Sequence, residues 1–299
     1  MQIINTFIYT ILKLFPKRLI KVFSKRYVAG FNLEETLNIC KNLNKQGFSL
    51  TLDILGEHTK ALDGAQDVTK QYQELLKVIS DNKIDANISI KPTHIGNDLG
   101  QDIFKKNLLD LIETASKHSN FVRIDMEDSK VTDDTLSVYR QISDEKDNLG
   151  IVFQAYLFRT LTDIESFSNK NLNFRLCKGI YRESEEIAFQ DRDKINQNYI
   201  EILDYALSNK IYIGIATHDE YLLEESYRLI KKHTAQPDNF EFQALYGVPL
   251  EKWHKKHIKN NYKVRLYMPF GDDWYDYSLR RIKENPSIAK YVLKNLFKR

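Results

Sequence analysis

One feature constrains this chain more than any other: from residue 48 onward, short apolar, β-branched runs alternate with longer stretches of helical period. The runs are FSLTLDIL (48–55), ANISIKP (86–92), FVRIDME (121–127), GIVFQAYLF (150–158), NFRLCKGIY (173–181), IYIGIAT (211–217), FEFQAL (240–245) and KVRLYMPF (263–270). A clear helical segment is 187–209, where Ile195, Tyr199, Ile202, Leu203 and Ala206 line one side. Eight strands, each followed by a helix, predict an α/β chain closed into a (β/α)₈ barrel over 48–299. Residues 1–47 are then a helical arm ahead of it.

Such barrels carry their chemistry at the C-terminal ends of the strands. Asp53, Lys91, Asp125, Gln154, Lys178, Thr217, Gln243 and Tyr267 lie near those ends. Alternation puts Arg123 with Asp125 on one face, Arg175 with Cys177, and Arg265 with Tyr267. Charge inside a barrel is costly unless paired or used.

After the eighth strand comes YSLRRIKEN (277–285). At about 100° per residue, Tyr277, Arg280, Arg281 and Glu284 fall at roughly 0°, −60°, +40° and −20°, on one helix face. An isolated pair of arginines most simply marks a solvated helix. The sharper reading is a fork for a carboxylate or phosphate, since guanidinium offers paired planar donors. The cations Lys91, Arg175, Arg280 and Arg281 outnumber the anions Asp125 and Glu284 at this mouth, which favours an anionic ligand.

The remaining composition narrows the classes. A net charge of +3 is too small to argue for nucleic acid. Cys40 and Cys177 are the two cysteines and form no CxxC or disulfide framework, so a reducing compartment is expected. There is no GxGxxG after a strand, no P-loop and no GxSxG elbow. His254 and His257 in EKWHKKHIKN read as a solvated face of a Lys-rich helix, and no metal is expected. His218 in ATHDE starts a helix or contacts a ligand; the residues alone leave both open. The first segment, MQIINTFIYTILKLFPKRLIKVFSKRYVAG, has no basic region before its apolar stretch, and its uncharged run is too short to span a bilayer. It is either an arm packed on the body or an amphipathic basic segment for an anionic membrane surface.

RLCKGIYRE, ATHDE, FEFQALYG and VRLYMPFGDDWYDYSLRRIKEN, with ISIKPTHIG, VRIDMED and IVFQAYLFRT before them in order, resemble the proline dehydrogenase family, in its monofunctional bacterial form. The likeness runs from about Ala29 to Asn285. It implies a (β/α)₈ flavoenzyme that oxidises L-proline to 1-pyrroline-5-carboxylate by hydride transfer to FAD N5. Electrons then pass to a membrane quinone, as the first step of proline catabolism to glutamate. Carried over by motif, Lys91, Leu245, Tyr267, Tyr277, Arg280, Arg281 and Glu284 would contact proline, with Arg280 and Arg281 on its carboxylate. Asp125, Arg175 and Lys91 would be catalytic. Met126, Gln154, Arg175, Lys178, Gly179, Ile180, Thr217 and His218 would contact FAD, with Arg175 near N5. The chain ends soon after the barrel, so a separate pyrroline-5-carboxylate (glutamate semialdehyde) dehydrogenase is expected downstream. The expected location is the cytoplasm, peripheral at the inner face of the membrane.

The chain departs from the family pattern in places. KGIY and ATHD stand where KGAY and ATHN are usual, so Ile180 and Asp219 differ beside the cofactor. FQALYG stands for FQ-x-LHG, and Pro92 follows Lys91 where leucine is common. Two rival readings remain: a hydroxyproline dehydrogenase, disfavoured by the retained Tyr267, and a flavin-free barrel that binds a small carboxylate.

Overall fold

The computed structural model describes residues 21, 24–167, 172–275 and 277–279. Eight parallel strands close into a barrel in chain order, with the first paired to the last. They are β1 (Ser49–Ile54), β2 (Ala86–Ile90), β3 (Val122–Ile124), β4 (Leu149–Gln154), β5 (Asn173–Cys177), β6 (Tyr212–Ala216), β7 (Phe240–Leu245) and β8 (Val264–Phe270). The expected eightfold (β/α) barrel is present. Each strand falls within its predicted run or extends one residue before it, and most are shorter because the runs include the loops that leave the ladder. The contraction is proportionally largest at β3, although Asp125 N still donates to Ile90 O at 2.8 Å.

The helices are α1 (Leu33–Lys45), α2 (Leu62–Asp81), α3 (Gln101–Lys117), α4 (Ser129–Ile142), α5 (Thr160–Glu165), α6 (Arg192–Ser208), α7 (Glu220–His233) and α8 (Glu251–Lys259). α1 precedes the barrel and starts with a pair of side-chain caps. The Asn32 side chain accepts from Glu35 N, and Glu35 reaches back to Phe31 N. Aspartates cap α4, α6 and α7: Asp128, Asp191 and Asp219 each accept backbone N–H groups of the first turn. These caps fix the loops that follow β3, β5 and β6.

Strand alternation separates two environments. Leu50, Leu52, Ile88, Ile90, Ile124, Ile151, Leu176, Ile213 and Ile215 turn outward and are completely buried under the helices, apart from which lies the polar lumen. The opposite set, including Thr51, Asp53, Ser89, Arg123, Gln154, Arg175, Gln243 and Arg265, is also buried but polar or charged. A register slip of one residue would drive these charges into the helix layer, so the two faces together fix the register.

The HxxH reading needs correction. His257 is buried, not on a solvated face: it stacks on Phe242 at 3.7 Å between ring centres, and its Nδ1 lies 3.0 Å from Tyr227 Oη. Helix α8 turns Trp253 and His257 toward the barrel and its lysines outward, so the charge-rich sequence hid an aromatic seam. Burial, with smaller effects from His254 and Lys256, pushes the His257 imidazole down to about 3. A folded value below the unfolded one gives stability that is full above about pH 6.5 and lost progressively as pH falls toward 3. Replacing His257 with Phe should therefore flatten the acid limb. Between pH 7.5 and pH 5 the wild type should lose on the order of 1–2 kcal/mol more unfolding free energy than the variant, measured by urea titration.

Candidate active site

The C-terminal mouth of the barrel is built around two buried carboxylates. Asp53, at the end of β1, takes both bonds of the Lys91 ammonium, at 2.7 and 2.9 Å, and a third from Tyr72 Oη at 3.2 Å. Lys91 lies one residue past β2. Burial works against its charge, but Asp53 and then Asp125 hold it above the ordinary lysine value. Lys91 is thus a fixed ammonium at neutral pH.

Asp125, one residue past β3, gathers three donors. Ser89 Oγ at 2.6 Å and Arg175 Nη1 at 2.7 Å share Oδ1, and Tyr267 Oη donates to Oδ2 at 2.7 Å. The Arg175 guanidinium also lies 5.0 Å from the centre of the Tyr267 ring. Burial, then Asp125 and Asp53, push the Tyr267 phenol well above its usual value, so it stays a proton donor. Arg175 is held from its other side by Gln243, whose Oε1 accepts from Nε at 2.6 Å.

The other expected site residues sit on the same rim. Gln154 ends β4 and donates to Glu127 O at 2.9 Å. Met126, next in sequence to Glu127, is buried just past β3. Lys178, Gly179 and Ile180 follow β5. Gly179 has φ +107, and a Cβ there would run into the Tyr156 ring, so glycine is required on both grounds. Ile180 is 55% exposed. Thr217 follows β6, and its Oγ1 accepts from Asp219 N at 3.1 Å. His218 Nε2 accepts from Leu245 N at 2.9 Å, which ties the β6 and β7 ends together. Tyr277 lies in the helical turn after β8. Arg280, Arg281 and Glu284 lie outside the described residues.

The charge argument changes on this geometry. The sequence tally set Lys91 and Arg175 among the surplus cations, but Asp53 occupies Lys91 and Asp125 occupies Arg175. Among the described residues, neither cation of that tally is left over. Sequence reasoning did not pair Asp53 with Lys91 and missed Ser89. The signal for Ser89 was available: it is two residues before Lys91, hence on the same strand face.

At the N-terminal end of the barrel there is a cavity of about 900 Å³, lined among others by Arg123, Tyr212, Glu241, Lys263 and Arg265. It lies at the end where such barrels do not place their chemistry.

The family profile described as Proline dehydrogenase matches residues 36–294. The chain belongs to the proline dehydrogenase family. Among curated relatives it is 35% identical over 276 residues to Proline dehydrogenase 1 of Bacillus subtilis subsp. natto, covering 92% of this chain and 91% of that one. It is 33% identical over 284 residues to the Proline dehydrogenase of Deinococcus radiodurans, covering 92% and 90%. A solved relative is proline utilization A from Bdellovibrio bacteriovorus inactivated by N-propargylglycine, with TM-score 0.82 and 26% identity over 89% of this chain. This chain spans about a third of the length of that one, 33%.

The rim beside the Asp125 cluster is polar and cationic. Arg175, Lys178, Gln154 and Thr217 offer a cation pair and polar groups along one rim. Asp125 and Arg175 depend on each other within this rim. Asp125→Ala leaves Arg175, whose side chain is 8% exposed, without its carboxylate. We expect that variant to lose about 3 kcal/mol of unfolding free energy in urea titration, while Ser89→Ala, which removes one neutral donor, loses about 1 kcal/mol.

Proposed function

We propose that this protein is an FAD-dependent proline dehydrogenase that oxidises L-proline to 1-pyrroline-5-carboxylate and hands the electrons to a membrane quinone. The observation that carries this reading is the Asp125 cluster at the C-terminal mouth, in a chain of this family: one carboxylate aligns Arg175, Tyr267 and Ser89 beside the Lys91–Asp53 pair. FAD, when bound, supplies the hydride acceptor. Gln154, Arg175, Lys178, Gly179, Ile180, Thr217, His218 and Met126 would hold it.

The chain's own residues do the positioning. Asp125 already accepts three bonds, so it serves as an anchor for Arg175 and Tyr267 rather than as a free base. The Tyr267 ring, held by its hydroxyl at one end and by Arg175 on its face, forms one wall for a small ring substrate; Leu245 forms another. Lys91, its charge met by Asp53, would line the pocket as a fixed donor rather than as a free cation. Arg280 and Arg281, outside the described residues, would hold the substrate carboxylate. Orientation of so small a substrate is most of the catalytic task.

The purified holoprotein should be yellow, and its visible flavin absorption should bleach on anaerobic addition of L-proline. A protein that cannot be loaded with FAD would support the carboxylate-binding alternative instead. N-propargylglycine should inactivate it in a time-dependent way, with L-proline protecting.

Arg280→Met or Arg281→Met should raise the KM for proline tenfold or more, since a charge-assisted bond contributes roughly 1.5–3 kcal/mol, with FAD content near normal. Tyr267→Ser should lower kcat/KM for proline and narrow the gap to hydroxyproline, because it removes a wall and adds room at the ring. A loss on the order of 1–3 kcal/mol is expected for proline, read by steady-state kinetics on both substrates.

A further inference from the structure

Behind Arg175 the barrel lumen holds a chain of side chains that none of the expected site residues includes. Gln243 on β7 donates from Nε2 to Glu241 Oε1 at 2.7 Å and accepts from Arg175 Nε at 2.6 Å. Glu241 sits two residues earlier on the same face. Its Oε1 also takes Arg265 Nε of β8 at 2.7 Å, and Arg265 Nη1 donates to Leu50 O of β1 at 2.6 Å. Glu241 is 1% exposed, Gln243 5%, and Arg175 and Arg265 7% each.

This arrangement permits one orientation of the Gln243 amide. With Nε2 toward Glu241 and Oε1 toward Arg175, both contacts are hydrogen bonds. Turned over, the amide would point its oxygen at a carboxylate and its NH₂ at an N–H donor. Both contacts would become repulsive in a buried setting. A charge on each side therefore locks the side chain. The space for it is also specific: a Cβ on Gly214, across on β6, would run into the Gln243 amide. Glycine at 214 is the clearance that lets a glutamine cross the lumen at this level.

We propose that Gln243, locked by Glu241, is the positioning residue that sets the direction of the Arg175 guanidinium in the active site. Asp125 holds Nη1 and Gln243 holds Nε, so the guanidinium plane is fixed by two bonds on different edges. One bond alone leaves it free to turn about the Asp125 contact. Glu241 stays ionised: although burial opposes it, Arg265 and then Lys263 and Arg123 pull its carboxyl down to about 2. Its anchor on Arg265 runs through β8 to β1, so the lock is tied to the barrel wall rather than to a loop. This inference rests on the reading that Arg175 faces FAD and proline.

The experiment compares FAD-loaded wild type, Gln243→Leu and the exchanged pair Glu241→Gln with Gln243→Glu. The exchange keeps the side-chain hydrogen bonds that run from Arg265 through 241 and 243 to Arg175, and gives up the Lys263 contact with Glu241 Oε2 at 3.6 Å. Gln at 241 accepts from Arg265 and donates to Glu at 243, and Glu at 243 accepts from Arg175. Three readouts are taken: kcat and KM for proline, the flavin midpoint potential measured without proline, and Tm. For Gln243→Leu we expect kcat to fall tenfold or more, since small misplacements of a positioned group cost up to about 100-fold, with KM changed less than about threefold. We also expect a more negative midpoint potential, as the cation turns from the flavin. The exchanged pair should return kcat to within tenfold of wild type.

Wild-type kcat and potential in Gln243→Leu would overturn the proposal, as would an exchanged pair that is folded and more than tenfold slower than wild type. If Gln243→Leu does not fold, the exchanged pair decides by the same threshold. A wild type whose flavin is not reduced by proline would overturn the functional reading itself. The potential, which needs no proline, then still tells whether Gln243 directs Arg175.

Discussion

The Asp125 carboxylate is where the active end of this barrel is made. It lies just past β3, yet its three partners come from β2, β5 and β8: Ser89, Arg175 and Tyr267. These strands are not all neighbours, so the contacts exist only when the barrel is closed with correct shear. The geometry of the mouth is therefore a property of the closed sheet. The loops add caps and cover, but the central donors stand on strands or one residue beyond them, where position is most precise.

A polar lumen is an unusual use of a barrel interior, which more often holds layers of branched apolar side chains. Its cost falls on buried charge. Lys91 has Asp53, Arg175 has Asp125 and Arg265 has Glu241, each at 2.7 Å. Arg123 is treated differently. Its recorded acceptors are neutral: Ile151 O, Asn173 O and Asn173 Oδ1. Burial and the nearby Arg175 push it down to about 10, which still leaves it charged. It lines the cavity at the N-terminal end yet is almost fully buried, so these neutral oxygens and the nearby Glu241 charge offset its burial. Pairs like these add little net stability over apolar packing, but each is costly to break singly. They specify which strands meet at which height.

Much of this was legible in the sequence, and what was not has identifiable causes. The eight strands could be read because their outward faces are β-branched and continuous, and that signal is local. The mouth residues Lys91, Asp125, Arg175 and Tyr267 could be placed on one end because alternation and strand ends are local too. Partnership was not legible. Asp53 and Lys91 are 38 residues apart, and Arg175 and Gln243 are 68 apart. Which cation meets which anion depends on shear, which no single strand encodes. His257 failed for another reason: lysines at 255, 256 and 259 dominate the composition of α8, while a narrow stripe of Trp253 and His257 decides its packing.

Asp219 shows how one departure from the family pattern works physically. An asparagine there would cap α7 about as well, since either side chain offers an oxygen to the first-turn N–H groups. Capping therefore does not account for the charge. Oδ1 makes the cap to Tyr221 N, while Oδ2 takes Lys178 at 2.6 Å and Arg192 at 2.7 Å. Burial opposes ionisation, but these two bonds bring the carboxyl down to about 2. Arg192 is 75% exposed, so water screens that half of the pair. Lys178 is 28% exposed and feels the carboxylate more strongly. On the proposed reading Lys178 faces the cofactor, and here it does so with part of its charge already balanced by Asp219. Arg175 is balanced in the same way by Asp125, so each cation at that rim has a carboxylate on one side and its direction matters as much as its charge.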